Sequence, residues 1–403
     1  MIISTAKLHR ENIASLPVTL PAELIAEVLS SLKVKSLVRF KCVNKSWNSL
    51  ISDPFFVKMH LIKSSQNSYV ILSFSSTSSI ALLNPFLIRS LLENPSINII
   101  NHASKYKLTQ RNSQIIGSCN GLICLVRSYY KTELHLWNPA AEFYLWNPAT
   151  RWLSQKLASF HHFSCWDLDS CFKFSFGYDN LTDKYKLVAF HLNEVRILTF
   201  GDIVWRNIQC FPANPYEYNS NHTNAGVYLS NSLNWFALRD NIRPNYYGCK
   251  YLSVQQFVII SLDLRIETYT ELQLQFPRGF DQVLVVPPIV WVLMECLCFS
   301  HYSTGFNFVI WQMKEFGVEE SWTKLLKFDY HNILHSDSYE VVSLLPLYVF
   351  ENEDMLIFSP NLKQLICYNW RENRVVRQAT VTDSTFMRLC TANQYVESLV
   401  SMY

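Results

Sequence analysis

Glycine is scarce: nine in 403 residues, about 2% where roughly 7% is usual. That excludes collagen-like and glycine-rich linker architectures. The nearest pair, Gly117 and Gly121, is too far apart for a G-x-G-x-x-G dinucleotide loop. G-x-x-x-x-G-K-[ST], G-x-S-x-G and H-E-x-x-H are also missing, which leaves no phosphate cradle, hydrolase elbow or zinc-protease helix. Charge is sparse as well, at 17% of residues, and the net value of +3 is too weak to imply a nucleic-acid partner. No apolar run reaches a membrane span. The longest, Val283 to Phe299, holds Glu295 and is broken by Pro287–Pro288, so it reads as two buried strands flanking the break. Lys7, His9, Arg10 and Glu11 interrupt the first twenty residues before a secretory core can form. Eleven cysteines without an export signal, and without one C-x-x-C pair, indicate a reducing compartment, cytoplasm or nucleus.

What is plentiful is apolar and aromatic: 49% hydrophobic and 14% aromatic. Such a chain buries a large core and leans towards β structure. The pattern divides in two. From about Leu20 to His60 it is helical. Pro21 suits a first helical position, and Leu24, Ile25, Val28, Leu29 and Leu32 then recur at helical spacing opposite Glu23, Glu27, Ser30 and Ser31. A second short helix carries Leu37, Val38, Phe40 and Val43. A third carries Trp47, Leu50 and Ile51 and is closed by Asp53-Pro54. Three short helices cannot hide this many large apolar side chains, which marks a partner-binding surface. A helical cap packed only on its own chain is the competing reading.

From Tyr69 onward short apolar runs alternate with turn residues. They include 121–126, 172–178, 185–192, 195–200, 226–238, 256–264, 306–313 and 356–370. Apolar-apolar-aromatic runs start near Ile116, Phe174, Gly226, Leu293 and Leu345, each followed by a further hairpin. Four strands in about 50 residues is the period of a propeller blade. With one more unit built after Tyr69 and closed by the C-terminal residues, the count is about six, and stacked β-sandwiches are the alternative. Trp137-Asn138-Pro139-Ala140 recurs as Trp146-Asn147-Pro148-Ala149, a duplication that adds a surface loop.

The remaining chemistry-bearing residues have plain explanations. Cys296 and Cys298 share a strand face as buried thiols. His161–His162 has no matching ligand set, and Asp167 with Asp169 or Glu319 with Glu320 read as turn carboxylates. Asn180-Leu-Thr182 and Asn221-His-Thr223 match the glycosylation acceptor by chance. Catalytic residues, metal sites and cofactors are therefore not expected. Two connections rich in Tyr, Asn and Pro, 211–224 and 239–253, have the composition of recognition loops. The candidate contacts are Tyr216, Tyr218, Arg239, Arg243, Tyr246 and Tyr247.

Leu20-Pro21, Leu37, Phe40, Cys42-Val43, Lys45-Ser46-Trp47 and Ser52-Asp53-Pro54-Phe55 together resemble a plant F-box over residues 16–60. GSCNGLICL (117–125), LWNPAT (145–150), FSFGYDNLTDKYKLVAF (174–190), GVYLSNSLNWFAL (226–238) and YVESLVS (395–401) resemble the F-box-associated domain of kelch-like and S-locus F-box proteins. Lys33 departs from the usual proline before Val-Lys-Ser-Leu, and Asn44 from the commoner Cys or Ser. The resemblance implies a mainly β chain: a flexible stretch 1–15, a small all-α, three-helix F-box (16–60) and a kelch-like β-propeller of about six blades (61–403). It implies a substrate receptor of a Skp–cullin–F-box ubiquitin ligase and no enzyme activity of its own. The F-box would dock on the Skp-type adaptor, and through it a cullin, by Leu20, Pro21, Leu24, Ile25, Val28, Leu29, Leu37, Phe40, Val43 and Trp47. The β domain would hold an unidentified target protein for ubiquitination. A non-degradative module binding a protein or glycan is the alternative, and neither nucleic acid nor membrane is expected as a partner.

Overall fold

The computed structural model describes residues 20–64, 68–76, 82–87, 106–107, 113–129, 140–161, 172–191, 194–215, 226–239, 256–274, 288–303, 307–329, 344–350, 354–360, 364–380 and 387–401. The expected flexible stretch 1–15 lies outside them. The described residues open on four helices rather than three: α1 (Ala22–Ser30), α2 (Val34–Phe40), α3 (Lys45–Ser52) and α4 (Pro54–Ser64). Asp53-Pro54 ends α3 and also starts α4. Asp53 Oδ1 accepts the N–H groups of Phe55 at 2.9 Å and Phe56 at 3.2 Å, and Pro54 occupies the first helical position, where no N–H is needed. Pro21, expected inside α1, stands one residue before it with ψ 142°, its carbonyl accepting from Leu24 and Ile25. Asn44 caps α3 by accepting the Trp47 N–H at 2.8 Å. Leu29, Val34, Leu37, Ile51 and Phe56 close a small core between the helices.

Beyond them the described residues are β but for one short 3-10 turn at Glu319–Ser321, in six antiparallel sheets. The first runs, from the centre outward, Met387–Val396, Ser68–Ser76, Leu82–Leu87 and Tyr106–Lys107. Its inner two strands pair Ser68 with Val396 and Tyr69 with Tyr395, so the end of the chain closes the structure that its first strand opened. The second holds Ser113–Cys119, Leu122–Tyr129 and Ala140–Asn147, the last pairing with both Trp152–Leu153 and Ala158–His161. The third is Lys173–Asp179, Lys184–His191, Glu194–Thr199 and Arg206–Ile208. In the fourth, Asn214–Pro215 and Val227–Leu229 share one edge of Ser232–Leu238, followed by Phe257–Asp263 and Thr268–Leu272. The fifth is Ile289–Leu293, Cys296–Ser303, Asn307–Met313 and Trp322–Asp329. The sixth is Leu344–Phe350, Met355–Pro360, Gln364–Asn369 and Arg374–Thr380. The innermost strands of successive sheets touch one another around a ring that returns to the first, the arrangement of a β-propeller.

Two expectations fall partly outside the described residues. The described strands of the 283–299 run, Ile289–Leu293 and Cys296–Ser303, both follow the proline pair and meet at the Met294–Glu295 turn, while 283–287 lies outside the described residues. The Trp-Asn-Pro-Ala copy at 146–149 is the end of a core strand and its turn, with Trp146 and Asn147 buried. The copy at 137–140 lies, but for Ala140, outside the described residues.

Strand alternation sorts the connections by end of the ring. The turns on the helical side are short, and all ten non-glycine residues with positive φ among the described residues lie in them, from Asn120 and Asp183 to Asp354 and Asn373. The strand ends flanking 130–139, 162–171, 216–225, 240–255, 275–287 and 330–343 lie at the opposite end. Only 88–105 is a comparably long connection on the helical side. No helix among the described residues is long and apolar enough to cross a membrane.

Candidate functional site

The helical module presents an apolar ridge above its own closed core. Leu20 is 62% exposed, Leu24 52%, Val28 64% and Val43 59%, whereas Leu37, in the helical core, is 0% exposed. Their spacing explains the split. Positions 20, 24 and 28 follow one another every fourth residue along one side of α1 and its lead-in, while Leu29 falls on the side facing Val34 and Ile51. Pro21 is exposed, and Ile25, Phe40 and Trp47 are half-buried. Phe40 and Trp47 meet edge to face at 5.2 Å, which fixes the angle between α2 and α3. Of the ten docking residues read from sequence, the structure groups Leu20, Pro21, Leu24, Val28 and Val43 as solvent-facing. Leu29 and Leu37 are corrected to core positions: both belong to the buried cluster and offer a partner no surface.

The module sits against the ring through specific contacts. Leu399 and Ala149 join the helical core, and Lys58 Nζ lies 3.1 Å from Asp183 Oδ2 in a turn of the third sheet. His60 is buried with Nε2 2.9 Å from the Leu32 carbonyl oxygen, and burial lowers its pKa. None of these contacts covers the ridge.

The loop candidates fare differently. Tyr216, Tyr218, Arg243, Tyr246 and Tyr247 lie outside the described residues, as do Asp167, Asp169, His162 and Asn221. Arg239 is half-buried and engaged within its own sheet. Its N–H donates to the Gln256 carbonyl at 2.8 Å, and its guanidinium reaches Gln273 Oε1 and, at 3.8 Å, Glu271. Glu319, in the short 3-10 segment Glu319–Ser321, accepts the Gln273 N–H at 2.7 Å and so links the fifth sheet to the end of the fourth. Cys296 and Cys298 are free thiols, and burial pushes the Cys298 thiol well up. Among the described residues no cluster of His, Cys, Asp or Glu has the arrangement of a metal centre.

A buried charge cluster escaped the sequence reading. Lys186 Nζ lies 3.1 Å from both Asp179 Oδ2 and Glu267 Oε1 and donates to the Leu264 carbonyl at 2.5 Å, while Arg206 pairs with Glu267 at 2.8 Å. It ties the third sheet to the fourth.

Comparison with known proteins agrees with this anatomy. A family model for the F-box domain matches residues 19–59, and one for the F-box associated beta propeller domain matches 60–278. The F-box/kelch-repeat protein At3g23880 of Arabidopsis thaliana is 30% identical over 324 residues, covering 77% of this chain and 79% of that protein. The F-box protein CPR1 of the same plant is 22% identical over 378 residues, covering 89% and 83%. Among solved structures, apo AztD from Citrobacter koseri aligns over 83% of this chain and 99% of its own at 9% identity and a TM-score of 0.35, too low to carry an argument.

Proposed function

Because this chain belongs to the F-box proteins that carry an associated β-propeller domain, we propose that it is the substrate-receptor subunit of a Skp–cullin–F-box ubiquitin ligase. It works in the cytoplasm, the nucleus or both. The observation that carries the reading is the exposed α1 ridge of Leu20, Leu24 and Val28, with Val43 exposed after α2, above a helical core that is already closed. Covering four such side chains is worth about 6–12 kcal/mol gross, at roughly 1.5–3 kcal/mol each. Association costs about 4–15 kcal/mol. The ranges overlap, so the remaining surface of Ile25, Phe40 and Trp47 has to add contact area for binding to be tight. The five basic residues between Lys33 and Lys45 (Lys33, Lys35, Arg39, Lys41 and Lys45) give the module a charge that suits an acidic adaptor, raising the encounter rate more than the affinity.

The propeller then holds the target. With the helical module at one end of the ring, the strand ends that root the long connections lie at the other, and those connections, including the ones that carry Tyr216, Tyr218, Arg243, Tyr246 and Tyr247, are the recognition elements of this reading. The chain performs no bond chemistry itself. It raises the local concentration of target lysines beside an activated ubiquitin. Replacing Leu20-Pro21 by Ala-Ala in the full chain tests the docking half: co-purification with the adaptor is lost while the ring melts unchanged. Retained binding would remove the ridge from the interface. Proximity labelling from the propeller identifies the target.

A further inference from the structure

The last described residues leave the strand Met387–Val396 and pass between the ring and the helices, alternating sides as an extended segment does. Ser398 and Val400 face the ring. The Asn147 amide donates to their carbonyls at 3.0 and 2.8 Å, and the Val400 side chain packs against the core of the second and third sheets. Gly121 makes room: a Cβ there would stand 2.5 Å from Ser398 Cβ and 2.7 Å from the Val396 carbonyl oxygen, and the residue has φ +76°. Glu397 and Leu399 face the helices. Leu399 is buried in the same cluster as Leu29, Val34, Leu37, Ile51 and Phe56. The Glu397 carboxylate lies beside the Tyr69 hydroxyl, the Val34 backbone N–H and Lys33. This sets a carboxylate at the start of α2, whose N-cap residue, Lys33, makes no side-chain cap.

We infer that residues 397–400 are a working part of the adaptor-binding module, so that only a chain whose last strand has closed the ring presents a competent F-box. The inference rests on the adaptor reading above. The segment follows directly on the strand that pairs with Ser68–Ser76, so it reaches Lys33 and Val34 only after that pairing. Ring closure and adaptor binding are then linked, and linkage is reciprocal: adaptor bound to the helices stabilises the closed ring.

The test uses the full chain with Leu399→Ala, and Glu397→Gln as the shape-conserving partner. Amide exchange is followed by mass spectrometry across 22–64 and across the third to fifth sheets, and affinity is measured against a purified Skp-type adaptor. The expected result is faster exchange in α2 and α3, adaptor affinity weakened roughly 5- to 150-fold, and unchanged exchange in the sheets. Glu397→Gln shifts both in the same direction by less. Should Leu399→Ala aggregate, Leu399→Val reads the same coupling after loss of one methylene. Wild-type exchange in α2 and α3 in every variant would overturn the inference. Wild-type chain that fails to bind the adaptor, with exchange still dependent on Leu399, would instead overturn the adaptor reading alone.

Discussion

Lys186 and Asp179 form an ion pair at 3.1 Å with side chains 6% and 0% exposed. Burial by itself would raise the Asp179 carboxyl pKa, but hydrogen bonds from Thr182, Lys186 and the Leu181 N–H outweigh it and hold the pKa below its usual value. Glu267 is likewise pushed up by burial and brought below its usual value by Arg206 and Lys186. Removing one partner strands a buried charge, so Lys186→Met or Asp179→Asn is expected to cost about 3–5 kcal/mol, read as a fall in the urea midpoint. Because both folded-state values are depressed, this stabilisation is present above the unfolded values near 4 and is lost as pH falls through the folded ones. Lys186→Met should therefore flatten the fall of stability as pH drops below the ordinary carboxylate range near 4. A slope equal to wild type would mean the cluster contributes little.

The ridge and the core beneath it should separate by substitution. Leu24→Ala and Val43→Ala change solvent-facing positions and are expected to move stability by no more than about 0.5 kcal/mol while weakening adaptor capture. Leu37→Ala opens a cavity in the helical core and should cost about 2–5 kcal/mol, lowering adaptor capture indirectly. Thermal melts with pull-down on the same preparations distinguish the two. Loss of stability on Leu24→Ala would place that residue in the core.

These contrasts mark what was legible in the sequence. Alternating runs located hairpins to within a residue or two, as at Lys173–Asp179 with Lys184–His191, because each pairing is local and its turn residues are explicit. The fourth helix was missed because Asp-Pro stops one helix as readily as it starts another. Leu29 and Leu37 share the apolar character of Leu24 and Val28, and only the packing of α1 on α2 and α3 decides which side faces water. Lys186 lies in a strand buried on both faces, where alternation carries no signal. The roles of Glu397 and Leu399 depend on contacts with residues more than 300 positions away, beyond any local pattern.

The second Trp-Asn-Pro-Ala copy has a role that can be measured. Asn147 is fully buried and satisfied on both sides: its amide serves the Ser398 and Val400 carbonyls, and its Oδ1 accepts from the Ala149 N–H at 3.0 Å and the Tyr395 hydroxyl at 3.2 Å. Asn147→Ala would leave several buried groups without partners, at roughly 1–3 kcal/mol each. Asn147→Asp keeps the shape and the acceptor but replaces the donor with a charge, so it should be at least as damaging at pH 7. If Asn147→Ala melts within a degree of wild type, water has replaced the amide.

His301 makes a prediction at milder acidity. The Trp311 indole donates to its Nε2 at 3.1 Å, which requires that nitrogen to be bare and the ring neutral. Burial lowers its pKa from 6.5 to about 4, against a smaller opposing effect from a backbone hydrogen bond at Tyr302. The unfolded chain therefore takes up this proton near pH 6.5 and the folded chain only near pH 4. Between them the unfolded state binds more protons, so stability falls as pH drops through this window, by about 3 kcal/mol, and levels off below it. His301→Gln keeps an acceptor for the indole and cannot become an imidazolium. Urea midpoints at pH 7, 5.5 and 4.5 should decline less steeply in this variant than in wild type, although His60, also depressed by burial, leaves part of the slope in both. Parallel slopes would mean that acid reaches His301 without unfolding the sheet, and that the Trp311 contact does not hold the ring neutral.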